Sequence, residues 1–154
     1  MKLSVIWFTD LLLVALLAGT MFGIWIGFNP AGLSSAAYVE QQQHTIRALN
    51  VLLPTMGGIG IVLTIVLTIF GKGDARARYL LAAAVACLAV SGVITRFLNQ
   101  PINSEVMTWT VQSPPANWTA LRDEWWKWHV VRTCSGIAAL GLLISAALFR
   151  HSRR

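Results

Sequence analysis

Four apolar windows dominate this chain: about Val5 to Phe28, Val51 to Phe70, Tyr79 to Phe97 and Val130 to Phe149. A helix needs ~20 mostly apolar residues to cross a bilayer, and each window supplies them. Backbone N–H and C=O groups in hydrocarbon must be satisfied within their own segment, which confines such windows to helices. The sequence therefore predicts an all-α fold: a single domain over 1–154, built as a four-transmembrane-helix antiparallel bundle with polar extensions of the second and fourth spans on the outer side. Charge supports this. Only 12% of the residues are charged, about half the share of a soluble domain, and they fall between the windows.

The first window runs past any signal-peptide core through Phe22, Trp25 and Phe28 and holds Asp10, so it reads as a span that is retained. Cys87 and Cys134 lie in different spans without metal-type spacing, and read as small apolar residues.

Lys and Arg set the orientation. Lys2, Lys72, Arg76, Arg78, Arg150, Arg153 and Arg154 would share one side with a single acid, Asp74. Arg47, Arg96, Arg122, Lys127 and Arg132 would share the other with Glu40, Glu105, Asp123 and Glu124. Both termini are expected in the cytoplasm, in a bacterial inner membrane. The basic balance reflects this asymmetry, and no nucleic-acid partner is expected. The expected partners are the lipid bilayer, a small lipophilic substrate and further copies of the chain.

Between the spans lie the polar stretches. Residues 38–50 read as a polar helix that places Glu40, Gln43, His44, Arg47 and Asn50 on one face and runs on into span two. Pro54 and Gly57-Gly58-Ile59-Gly60 loosen its first turns, and their small side chains let helices approach closely. Span three is expected to stop at Pro101, after Arg96 and Asn99, with a long loop from Gln100 to Asn117. On the last helix Arg122, Trp125 or Trp126, His129 and Arg132 share a face. Polar groups at membrane depth persist where they line a site or pair with one another. The two faces, with Asn99 and Asn103, are therefore expected to converge on one outward-opening pocket, with Trp109, Trp118, Trp125 and Trp126 as aromatic walls. A metal is one option: Glu40 and His44 sit i, i+4 and His129 could complete a two-His-one-carboxylate set for iron or copper. Haem clamped by two histidines is another; a site without cofactor is the third.

Several of these residues form a wider pattern: Ala18-Gly19, Phe22-Gly23, Pro30, the Gln/His/Arg/Asn helix ending near Pro54, Arg96-x-x-Asn99-x-Pro101-x-Asn103, Trp118, and Arg122-x-x-Trp125-x-x-x-His129-x-x-Arg132. Over nearly its whole length the chain resembles the anthrone oxygenase-like integral membrane proteins, most of which are catalogued only as a domain of unknown function. Fungal members oxidise polyketide anthrones to anthraquinones with dioxygen. The resemblance implies an oxidoreductase acting on a lipophilic, anthrone-like aromatic substrate. In that chemistry His44 or His129 would take the benzylic proton, and Arg132, Asn99 or Asn103 would stabilise the enolate oxygen. Arg47, Arg96, Arg122 and the Trp side chains would hold the substrate. Two other classes stay open: a non-enzymatic membrane binder, permeation element or partner subunit, and a haem or quinone electron carrier.

Overall fold

The structure is a computed structural model that describes residues 2–71 and 75–151, with only the helix backbone of Lys2, Arg150 and His151. Of the cations and acids that set the expected orientation, Lys72, Asp74, Arg153 and Arg154 lie outside the described residues. Among the described residues six α-helices follow in chain order: α1 Lys2–Gly27, α2 Ser35–Leu49, α3 Leu52–Phe70, α4 Ala75–Ile94, α5 Gln100–Val106 and α6 Trp118–His151. Among the described residues four helical segments are long and apolar enough to cross a membrane: Leu3–Gly32, Leu52–Phe70, Ala75–Val106 and Trp118–Phe149. They cover the four apolar windows, save that Val51 falls one residue before the second.

The spans form a ring in which α1 packs on α3, α3 on α4, α4 on α6 and α6 back on α1. Neighbours are antiparallel. In lipid no hydrophobic drive pulls such helices together, so close packing of small side chains has to do it. The half of the bundle that holds the start of α1 follows that rule. Ala77, Leu81, Ala84 and Leu88 on α4 are buried, as are Ala139, Leu143 and Ala146 on α6, and this core continues into Trp7, Val14 and Leu67. Gly60 brings α3 onto α1: a Cβ there would lie 3.2 Å from Val14 and 3.3 Å from Leu13. Beside it, fully buried Asp10 meets Thr64 at 2.9 Å.

The half that α2 covers is built differently. α2 does not continue into α3. The chain breaks at Asn50-Val51, because Pro54 has no N–H for the Asn50 carbonyl and fits only in the first turn of a helix. α2 is thereby freed to fold over the end of the bundle. Its Tyr38, Val39 and Ile46 join Ile24, Ile102, Val106, Trp109 and Trp125 in a second core.

The expected stop at Pro101 is corrected. Between α4 and α5 the helix widens into a π turn over Thr95–Asn99, with the Gln100 N–H on the Thr95 carbonyl. Pro101 lacks the N–H that the Phe97 carbonyl would receive in an α-helix, and the wider turn absorbs the loss. Helix therefore continues to Val106, and the irregular connection is confined to 107–117. The Gln43 amide closes the end of α5 by donating to the Val106 and Trp109 carbonyls at 3.0 and 2.9 Å.

Candidate functional site

Trp125, His129 and Arg132 sit one to two turns apart on α6 and are all buried. They extend the same inward stripe that deeper down carries Thr133, Gly136, Ala139 and Leu143. The stripe points inward because the packing of α6 on α4 and α1 orients it, and the polar residues inherit that direction. The π turn rotates Asn99 inward until it too is fully buried.

The hydrogen bonds at this level settle protonation states. An Arg side chain only donates. Arg132 places Nε 3.3 Å and Nη2 3.0 Å from His129 Nδ1, and Nη1 3.2 Å from Thr95 Oγ1. His129 Nδ1 is therefore an acceptor. Its Nε2, 3.1 Å from the Met21 carbonyl, carries the hydrogen and donates it. The imidazole is held between Trp125, stacked at 5.0 Å and 3°, and Trp126 at 5.7 Å and 24°. Both ring nitrogens are occupied. Arg132 has five N–H bonds, and three of them meet these two acceptors. Among the described residues the single ion pair is Arg122 with Asp123, so no carboxylate faces the buried Arg132 guanidinium.

Asn103 forms the other tie. Its amide donates to Asn50 Oδ1 at 2.8 Å, and its oxygen accepts from Trp125 Nε1 at 2.7 Å. Asn99 donates to the Trp125 carbonyl at 3.0 Å. The two amides lock α5 and the π turn onto α6 and leave the Arg132 side open.

Two hollows meet at Arg132. A cavity of about 270 Å³ lies among α1, α3, α4 and α6, lined by Leu17, Met21, Leu53, Ile61 and Leu88, with Ser91, Thr95, Arg96, Gln100 and Arg132 as its polar groups. It approaches the ~300 Å³ of the smaller ligand pockets. Beyond it, under α2, a niche of about 30 Å³ is bordered by Gln42, Thr45, Asn50, Asn103, Thr95 and Arg132. That is room for a water or two. Gln42 is buried and its Nε2 has no hydrogen-bond partner.

The expected residues are only partly brought together. Arg132, His129, Asn99, Asn103 and Trp125 converge. Trp126 flanks His129, and Arg96 lies exposed at the edge of the large cavity. Glu40, His44 and Arg47 do not converge: all three are exposed on the far side of α2, and Arg47 donates to Gln43 at 3.2 Å. This corrects the predicted face of α2. Helical spacing groups Glu40 with His44 but does not say which side docks; the stripe Tyr38, Gln42, Ile46, Leu49 docks instead. The Glu40/His44/His129 metal set does not form, and no group of three His, Cys, Asp or Glu side chains able to hold an ion occurs among the described residues. A haem between His44 and His129 fails for the same reason. Trp109, Trp118 and Arg122 stand further out. Tyr38 packs against Trp109 and Trp118 at 6.3 and 5.7 Å, and Arg122 lies 5.1 Å over Trp118. Burial in this layer pushes the Tyr38 hydroxyl above its ordinary range.

Sequence reasoning missed Gln42, Thr45 and Thr95. The signal for the first two was the apolar stripe of α2, since buried polar residues travel with the apolar residues a turn away.

No curated protein and no solved structure matches the chain. The family model described as anthrone oxygenase matches residues 42–142, a stretch that runs from Gln42 through Asn99, Asn103, His129 and Arg132. The chain belongs to the anthrone oxygenase family.

Proposed function

We propose that the protein is a membrane-embedded oxygenase. It converts the methylene of a flat, lipophilic, anthrone-like carbon acid to a carbonyl with dioxygen. The observation that carries this reading is the buried Arg132 guanidinium, which faces an apolar cavity with no carboxylate to neutralise it. Removing a proton from such a substrate places negative charge on its carbonyl oxygen. A fixed cation in a water-poor site stabilises that charge strongly, because nothing has to reorganise as it develops. The electron-rich enolate then reacts with dioxygen. Two C–H bonds of the methylene break, one oxygen atom becomes the new carbonyl, and the other leaves with both hydrogens as water.

His129 is a positioning residue in this scheme. Its Nδ1 lone pair is committed to Arg132, so it holds the guanidinium instead of taking the substrate proton. The niche beside Arg132 has room for a water, oriented by Gln42, that passes the proton on towards solvent as it takes it. No step requires a metal ligand. A bacterial inner membrane with both termini in the cytoplasm fits the distribution of Lys and Arg and belongs to the same proposal.

Purified protein in lipid nanodiscs should consume one dioxygen per anthrone and yield anthraquinone, faster than anthrone does by itself. Oxygen uptake at the spontaneous rate would overturn the proposal.

A further inference from the structure

The small residues of α3 and α4 do two different jobs. Gly60 makes a close helix contact, as small residues in membrane bundles do. Gly58 and Gly92 do not: a Cβ built on either meets nothing within 4 Å. Both border the large cavity, from opposite sides of the α3–α4 seam. Both are exposed, and their neighbours Ile59, Val62 and Val93 are exposed apolar residues within spans. In a bilayer that surface faces lipid. Towards water the same end of the bundle is covered by α2 and by the layer of Tyr38, Trp109 and Trp118.

Charge is arranged along the same line. Arg96 stands exposed on the cavity edge one turn beyond Gly92, and Arg132, bonded to the neighbouring Thr95 at 3.2 Å, is buried inside. A cation near the interface can reach headgroup level, whereas a buried one with N–H bonds to spare favours an anionic oxygen brought to it. We propose that the α3–α4 seam is a lateral portal. A flat apolar acid dissolved in the bilayer enters between Gly58 and Gly92, is captured at its acidic group by Arg96, and delivers an oxygen to Arg132. This deepens the oxygenase reading of the same cavity and rests on it for the identity of the natural ligand.

The test uses anthracene carboxylate, a fluorescent flat acid with no methylene to oxidise, and the full chain in nanodiscs. Energy transfer from Trp reports its binding. In the wild type the association rate should follow the mole fraction of probe in lipid and fall as lipid is added at constant total probe. Gly92→Leu and Gly58→Leu, each filling open space from a different helix, should slow association at least tenfold. Val93→Leu, on the neighbouring lipid face, should stay within twofold. Thermal melts should show all three folded, and if one plug fails to fold the other still decides. Association at the wild-type rate in a folded plug variant overturns the portal, as does a rate that follows aqueous probe whatever the lipid content. Portal-dependent binding without anthrone oxidation would leave the portal standing and remove the oxygenase. Oxidation that both plugs leave untouched would do the reverse.

Discussion

Replacing Arg132 by Met should separate activity from stability. Met keeps most of the length and apolar bulk of the side chain but removes the charge and its N–H groups. Activity should fall on the order of 100- to 1,000-fold, the typical loss when one preorganised donor to a developing oxyanion is deleted. Stability has two opposing contributions. The wild type keeps a guanidinium buried, 6% exposed, without a carboxylate partner, which costs several kcal/mol. Its contacts with His129 and Thr95 return about 1.5–3 kcal/mol for each of the two acceptors. These nearly cancel, so Arg132→Met should change unfolding free energy by less than about 2 kcal/mol. Arg132→Lys should not restore turnover, because a single ammonium cannot serve His129, Thr95 and a ligand from one fork. Oxygen uptake with anthrone gives the first quantity, and reversible unfolding in mixed micelles gives the second. Turnover within threefold of wild type would refute the role of the charge. Destabilisation beyond about 4 kcal/mol would show that Arg132 is retained to hold the fold together.

The remaining predictions test the surroundings of that residue. His129→Ala should lower turnover by unseating Arg132, by no more than Arg132→Met does, whereas His44→Ala and Glu40→Ala should leave it within about twofold, since an exposed surface substitution perturbs little; loss in either α2 variant would reinstate that face. Trp125→Phe and Asn103→Leu should each destabilise by about 1–3 kcal/mol and couple by about 0.5–2 kcal/mol in a double-mutant cycle, and zero coupling would deny their 2.7 Å hydrogen bond. Tyr38→Phe should raise the melting temperature, because the hydroxyl is buried with no hydrogen-bond partner. The Tyr38 pKa is raised by burial, so its contribution is complete below the unfolded value of ~10 and is lost as pH rises past it; Tyr38→Phe should flatten that alkaline loss, and an unchanged profile would refute it. Asp10→Asn should preserve stability within about 1 kcal/mol, because Thr64 has one hydrogen for both Asp10, at 2.9 Å, and the Gly60 carbonyl, at 2.8 Å, and an amide N–H supplies the second; a large loss would mean that the carboxylate itself is needed.

The sequence alone determined the class of fold and picked out the stretches of the spans that carry buried polar side chains. Apolar length does this by itself, because hydrocarbon tolerates nothing but closed backbone hydrogen bonding. That is why Val5–Phe28, Val51–Phe70, Tyr79–Phe97 and Val130–Phe149 could be read without neighbours, and why Arg132 and His129 stood out. The tertiary structure decided everything that depends on which side of a helix docks. Periodicity grouped Glu40 with His44 and Arg122 with His129, but a polar face on a half-wet helix can turn either to solvent or to a site. The break at Pro54 and the fold-back of α2 turned Glu40 and His44 outward and Gln42 inward. Pro101 was legible as a disruption and not as a π turn, since only packing of α5 against α2 and α6 favours widening the helix over ending it. The neutral Nε2–H tautomer of His129 could not be read at all: it is fixed by Arg132 on one side and by the Met21 carbonyl, 108 residues away, on the other. The space beside Gly58 and Gly92 is likewise a property of the assembled ring, because a glycine in sequence looks the same whether it brings two helices together or leaves a gap between them.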